Sequence, residues 1–378
     1  MFEAEKVIEE FDMQNRENVS ETAQAFAYEI KGNRAVIWRC FSRDTKAVIP
    51  SVIEGYPVTE IAPYAFSAHM DARTFEKEVR MGKMHFYVPE FLDSLSDPLC
   101  GDALEEIVFP STVIRIGRYC FYNCANLRSL EFWSTLFDWG SGIFTGSHKI
   151  NQMCIHVVPD QPSSFKQVLD EIYEELHVSY IIEKVKCQEN TESADGRTFS
   201  DAARADSVYE EKEKNSGYVA SLVFPEFYVE GVENTPARIL EERIHGTGMK
   251  YRNCFKGKVF DFRQYDTWFS LAATQESDRV LGKLAMGRLR YPYELTDKAR
   301  EQYLTFVKEH SCEMAEWILN ERDMDALRWL LSVAEKTEAF IAYVTEQAAK
   351  LQFTEAMSLL MEAQRESRPK RARRRMEL

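Results

Sequence analysis

Long hydrophobic runs are missing from this 378-residue chain. No stretch approaches the roughly 18 apolar residues of a membrane span. The opening residues, Met1 to Glu10, have no basic n-region and no apolar core, so no secretion signal is read there. Basic charge is in short supply: 47 Lys and Arg stand against 61 Asp and Glu, a net charge of −14. An acidic body argues against broad nucleic-acid binding, because phosphate contacts need a basic surface. Histidine is scarce too. The seven residues, at 69, 85, 148, 156, 177, 245 and 310, form no His-x-x-x-His or similar ligand set. The eight cysteines are scattered, and the one close pair, Cys120 and Cys124, has no second pair or histidine at metal-site spacing. Both read as small core residues, and neither a metal nor a cofactor is expected. Without a leader, the cysteines are expected to be free thiols of a cytoplasmic protein. Export of a longer protein is the alternative.

A repeat is present. Leu104-x-x-Ile107-x-Phe109 recurs as Leu127-x-x-Leu130-x-Phe132 and as Ile150-x-x-Met153-x-Ile155, each 23 residues after the last. Tyr119-x-Phe121 recurs at the same step as Gly142-x-Phe144. A period of this length with aliphatic residues at the first, fourth and sixth positions is the pattern of a leucine-rich repeat. One copy cannot bury its own apolar residues, so copies must stack to share a core. An earlier copy runs from Ala47 to Phe66 and aligns with Ile107 to Phe121; it is longer by the turn at Gly55-Tyr-Pro57. Tyr28-x-Ile30, Val48-Ile-Pro-Ser51, Gly55-Tyr-Pro-Val-Thr59, Ala65-Phe66 and Cys124-x-x-Leu127 together resemble the BspA-like class of bacterial leucine-rich repeats, over about residues 24–160. The resemblance implies a short, irregular α/β solenoid of four to five repeats. It breaks between Phe66 and Leu104, where Phe86-Tyr-Val-Pro89 reads as one irregular repeat and Phe91 to Gly101 as an insertion.

The length favours two domains. The first is expected over 1–182. It has an amphipathic helix within 3–27, a hairpin over Ala25–Arg39 turning at Gly32-Asn33 as a cap, and a closing helix Phe165–Leu176 with a strand His177–Ile182. Residues 183–217 are polar, acidic and without period, and read as a flexible linker. Residues 218–366 read as a separate, mainly α-helical domain. Its first helix is expected within Glu233–Ile244, capped by Thr235-Pro236, and another over Tyr265–Met286. From Leu295 onward, apolar residues recur at 3–4 spacing between short joins at 320–324, 334–337 and 352–354. Leu222-Val-Phe-Pro225 echoes the repeat by chance. Residues 367–378 form a basic, disordered tail.

Strand alternation singles out a surface. If Ile107 and Phe109 point inward, then Glu106 and Val108 point out, followed by Ser129, Glu131 and Trp133, then Gln152, Cys154 and His156. From these, Glu106, Val108, Glu131, Trp133, Gln152 and His156 are the candidate binding residues, with Trp133 as anchor unless it tucks under the adjacent loop. Arg243, Lys250 and Arg252 are anion-contact candidates. Cys254 and His245 would be the first residues to test if residues 218–290 held an enzyme site, since a thiolate–imidazole pair must touch. Gly246-Thr-Gly248 is too short for a phosphate loop. The expected function is a non-enzymatic protein–protein interaction module or scaffold. Its partner is another protein, with no membrane and no specific nucleic acid. An enzyme within 218–290, and an adaptor touching nucleic acid weakly through the tail, are the alternatives.

Overall fold

The computed structural model describes residues 24–70, 72–90, 95–159, 161, 163–183, 218–234 and 239–367. The expected N-terminal helix up to residue 23, the linker from 184 and the basic tail from 368 lie outside them.

The sequence period becomes a strand register. Five strands pair in parallel: Lys46–Val48, Glu106–Val108, Ser129–Trp133, Gln152–Val157 and Leu176–Ile182. Glu106 stands beside Ser129, Ser129 beside Gln152, and Gln152 beside His177. Alternation along each strand sends one row inward: Ala47, Ile107, Leu130, Met153 and Val178, all buried. Val48 stands beside Val108 although 60 residues separate them, so the insertion between the first two copies leaves the stack unbroken. Its strand Met84–Tyr87 pairs antiparallel with Ala25–Lys31 instead. Phe86-Tyr-Val-Pro89 is therefore not an irregular repeat. An edge of the hairpin was free to take it, and no gap in the parallel ladder was.

A second sheet runs in the order Asp138–Trp139, Arg115–Ile116, Tyr56–Ile61, Arg34–Phe41, Ala25–Lys31, Met84–Tyr87. The expected hairpin supplies the fourth and fifth strands of that order, turning through Gly32 at φ +65°, a conformation that costs glycine little. At the turn after each short parallel strand sits one phenylalanine. Phe66, Phe121 and Phe144 are buried and stack with centroids 5.6 and 5.8 Å apart. Phe121 also meets Phe109 edge-on at 6.3 Å, which ties this ladder to the first sheet.

Both ends of the stack are covered. At the first, the buried Gln24 side chain imitates a peptide: its Nε2 donates to the Lys46 carbonyl at 2.7 Å, and its Oε1 accepts from the Val48 amide at 2.9 Å. An edge strand left open would template association. At the far end the strand Tyr218–Phe224 adds antiparallel to Leu176–Ile182. Phe165, on a helix that spans Phe165–Asp170, gathers Tyr180, Phe224, Phe255 and Phe260 within 5.6–6.0 Å.

That added strand moves the expected boundary. The chain divides into compact units at Met1–Asp261 and Phe262–Leu378, so residues 218–261 belong with the repeats rather than opening the helical part. Hydrogen bonds along a shared sheet hold them there. The helix expected within Glu233–Ile244 is also replaced: Tyr228–Asn234 and Ile239–His245 form an antiparallel hairpin. Val229 and Ile244, register partners in the ribbon, suit a pleated strand, and the short segment had no period long enough to distinguish helix from strand. Thr235-Pro236 lies outside the described residues.

The unit from Phe262 is helical. The helix expected over Tyr265–Met286 is broken into Phe262–Thr267, Phe269–Ala272 and Asp278–Arg290, the last capped by Ser277, whose side chain accepts from the Val280 amide. Asp297–Glu309, Ser311–Glu321, Met324–Val333, Glu338–Lys350 and Thr354–Ser367 follow, with joins where the apolar spacing lapses. Thr296, Asp323 and Thr337 are side-chain N-caps, each satisfying an amide that the helix cannot. Inside the unit, buried Arg288 binds both oxygens of Asp266 at 2.8 and 3.0 Å, and the Tyr303 hydroxyl donates to Asp266 at 2.9 Å.

Candidate functional site

The outward row of the parallel sheet collects the residues that alternation predicted. Val108, Glu131, Cys154 and Ser179 stand side by side on successive strands, as do Trp133, His156 and Ile181. Glu106 and Gln152 are exposed; Val108, Glu131, Trp133, Cys154 and His156 are partly covered by one another. Trp133 does not tuck away from this face. Its ring lies flat on the His156 imidazole, centroids 4.7 Å apart and planes 16° from parallel. Lys46 reaches Glu106 at 3.4 Å across the edge of the row.

His156 is the hub. Its Nε2 lies 3.1 Å from Glu131 Oε1 and 3.8 Å from Cys154 Sγ, and its Nδ1 lies 2.8 Å from Glu183 Oε1. Burial alone would lower the imidazole pKa, but its hydrogen bonds with Cys154, Glu131 and Glu183, the two carboxylates accepting, outweigh it and push the value up to about 11. The hydrogen bond from His156 in turn lowers the pKa of the Glu131 carboxyl. Glu131, Cys154 and His156 thus place an oxygen, a sulfur and a nitrogen within 4.8 Å of one another. The expectation that no ligand set exists came from spacing along one segment. The signal was present at the repeat step, since Glu131 plus 23 is Cys154 and His156 follows two residues on. Glu183 was missed because it follows the last parallel strand and no period reaches it.

Of the three anion-contact candidates, the structure buries one and exposes two. Arg252, at the end of the helix Gly248–Arg252, is buried; its Nε donates to the Ile172 carbonyl at 2.9 Å, and its terminal nitrogens donate to the carbonyls of Glu174 and Pro225. It satisfies backbone rather than a ligand. Arg243 is exposed opposite Glu230 in the hairpin, and Lys250 is exposed on the short helix. The Cys254 thiol is buried and directed at the Lys250 carbonyl, 3.3 Å away, while His245 Nε2 faces Glu230 Oε2 at 3.0 Å and its ring stacks on Tyr228. Cys120 and Cys124 are core residues; burial pushes the Cys124 thiol up to about 12, and it donates to the Phe66 carbonyl at 3.2 Å. None of the seven described cysteines is in a disulfide. Among the described residues, no helix is long and apolar enough to cross a membrane.

Residues 99–216 match the family model described as BspA type Leucine rich repeat region (6 copies). No curated protein matches the chain. Among solved structures, the chain is similar to the leucine rich repeat protein of T. pallidum, with 15% identity over 35% of this chain and 72% of that one and a TM-score of 0.21. The 23-residue register and the family match agree: this chain carries a leucine-rich-repeat region of the BspA type, followed by a helical C-terminal region.

Proposed function

We propose that this protein is a protein-interaction module whose short repeat solenoid presents Glu106, Val108, Glu131, Trp133, Gln152 and His156 to a partner protein, without chemistry of its own. The observation that carries the reading is the Trp133–His156 stack on the outward face of three adjacent strands. A flat aromatic held in place loses little entropy on binding, and Trp is a frequent interface anchor. Glu131 precedes Trp133 by two residues on the same face of the strand, which suits a partner segment carrying a cationic side chain over the indole. Leucine-rich-repeat regions in general act by presenting such faces, and that supports a binding role over a catalytic one.

The test is affinity capture with the full chain, comparing wild type with Trp133→Ala, and with Phe137→Ala as a control at another exposed aromatic (59% exposed). A partner held by this face should lose about 30-fold in affinity with Trp133→Ala, the scale of a 2 kcal/mol anchor, and should be retained by Phe137→Ala. Equal capture by both variants would remove this face from the interaction.

A further inference from the structure

We infer that Cys154, His156 and Glu131 form a binding site for a single zinc ion on the outward face of the repeat sheet. The reading does not depend on the partner proposal, since its test needs no partner.

Three features point to it. First, the donor atoms are spaced as ligands. Tetrahedral coordination with zinc–donor distances of about 2.0–2.3 Å places donors roughly 3.3–3.6 Å apart. His156 Nε2 lies 3.1 Å from Glu131 Oε1 and 3.8 Å from Cys154 Sγ. Second, the outer sphere is in place. Glu183 Oε1 sits 2.8 Å from Nδ1, so an Nδ1–H donated to it leaves Nε2, once the metal displaces its proton, as the nitrogen that faces the other two donors. A carboxylate behind a ligating histidine is the usual partner of a metal-bound imidazole. The Trp133 ring against His156 fixes the plane of the imidazole. Third, the set is chemically selective. Thiolate and imidazole with one carboxylate suit zinc over the hard cations magnesium and calcium, which take oxygen ligands.

The scaffold supplies rigidity. Glu131 and Cys154 are register partners on adjacent parallel strands, and His156 is two residues beyond Cys154 on the same face. All three donors therefore hang from a hydrogen-bonded ladder rather than from loops. Binding forms Zn–S, Zn–N and Zn–O bonds in place of bonds to the ion's own water ligands, and it releases those waters, the thiol proton and the Nε2 proton to solvent, with no change in oxidation state. Three protein ligands leave a fourth position, and because these side chains belong to the outward row, that position opens to water or to a partner's side chain.

The experiment uses the untagged full chain, reduced and stripped with a chelator, and titrates it with Co²⁺ as a spectroscopic stand-in for zinc. The expected result is one equivalent of bound cobalt with a sulfur-to-cobalt charge-transfer band and the visible bands of a four-coordinate ion, displaced by Zn²⁺. Cys154→Ser should abolish the charge-transfer band, and Cys312→Ser, at a partly exposed cysteine of the helical unit, should leave it unchanged. Glu183→Gln, which touches only the outer nitrogen of His156, should weaken zinc about 10–100-fold without changing the band. Should Cys154→Ser not fold, Glu131→Gln is the substitute, and it should weaken zinc while retaining the sulfur band. Absence of the band in wild type, its survival in Cys154→Ser, or unchanged zinc affinity in the Glu183 and Glu131 variants would each overturn the site.

Discussion

Single side chains decide how closely the repeats can stack. Tyr64, Tyr119 and Gly142 hold the same turn position in successive copies, and all have positive φ, at 57°, 54° and 62°. Two tyrosines tolerate that backbone, so the conformation alone does not demand glycine. What does is the neighbour: a Cβ at position 142 would lie 2.4 Å from the Tyr119 ring. Gly142→Ala should therefore cost roughly 1–3 kcal/mol, and Tyr119→Ala should relieve part of that cost. Chemical denaturation of the double-mutant cycle would show a coupling energy; strict additivity would mean the ring is not the obstacle. Phe121, stacked between Phe66 and Phe144, should cost about 3–5 kcal/mol on truncation to alanine. A loss below about 1 kcal/mol would break the assigned register. In the helical unit, Asp266→Ala strands the buried Arg288 guanidinium. It should cost about 3–5 kcal/mol, read as a lowered midpoint in helical signal. The Phe ladder was legible from spacing. The Asp266–Arg288 pair was not, because 22 residues across a broken helix carry no pattern.

At the scale of elements, alternation proved the most informative property of the chain. It foretold which side of Glu106–Val108, Ser129–Trp133 and Gln152–Val157 faces out, because period two and a buried face leave one register available. It could not foretell that Cys154, His156 and Glu131 converge, since that needs the strands to be neighbours as well as alternating. The hairpin at 228–245 was misread for a related reason: seven-residue strands with charged residues at 241–243 also satisfy a helical reading until a partner strand is known. Arg252 shows what a long-range contact can hold. Its three carbonyl partners lie on residues 172, 174 and 225, so Arg252→Met would leave buried acceptors unmet at about 1–3 kcal/mol each. Hydrogen exchange should then quicken across Leu176–Ile182 and Tyr218–Phe224 while Ser129–Trp133 stays protected. Uniform protection would mean the guanidinium is not what holds this end together.

For the whole molecule, the pairing of Tyr218–Phe224 with Leu176–Ile182 carries a consequence for cleavage. A protease site engineered between Glu183 and Tyr218 should give two fragments that co-elute under native conditions and separate only in denaturant, because seven register pairs of one sheet cross the cut. Two fragments that part freely would restore the boundary that composition suggested. Composition and period, read alone, determined the repeat step, the inward and outward rows, the hairpin that turns at Gly32 and the run of helices after residue 295. Each of these follows from interactions within a strand, a turn or the next repeat, and such local physics is written in spacing. Tertiary structure decided the rest: that 218–261 joins the repeats, that Glu183 reaches His156, and that Arg252 caps carbonyls instead of meeting an anion. Those contacts were selected by which sheet edges and buried polar groups remained unsatisfied once the repeats had stacked, and that demand exists only in the folded chain.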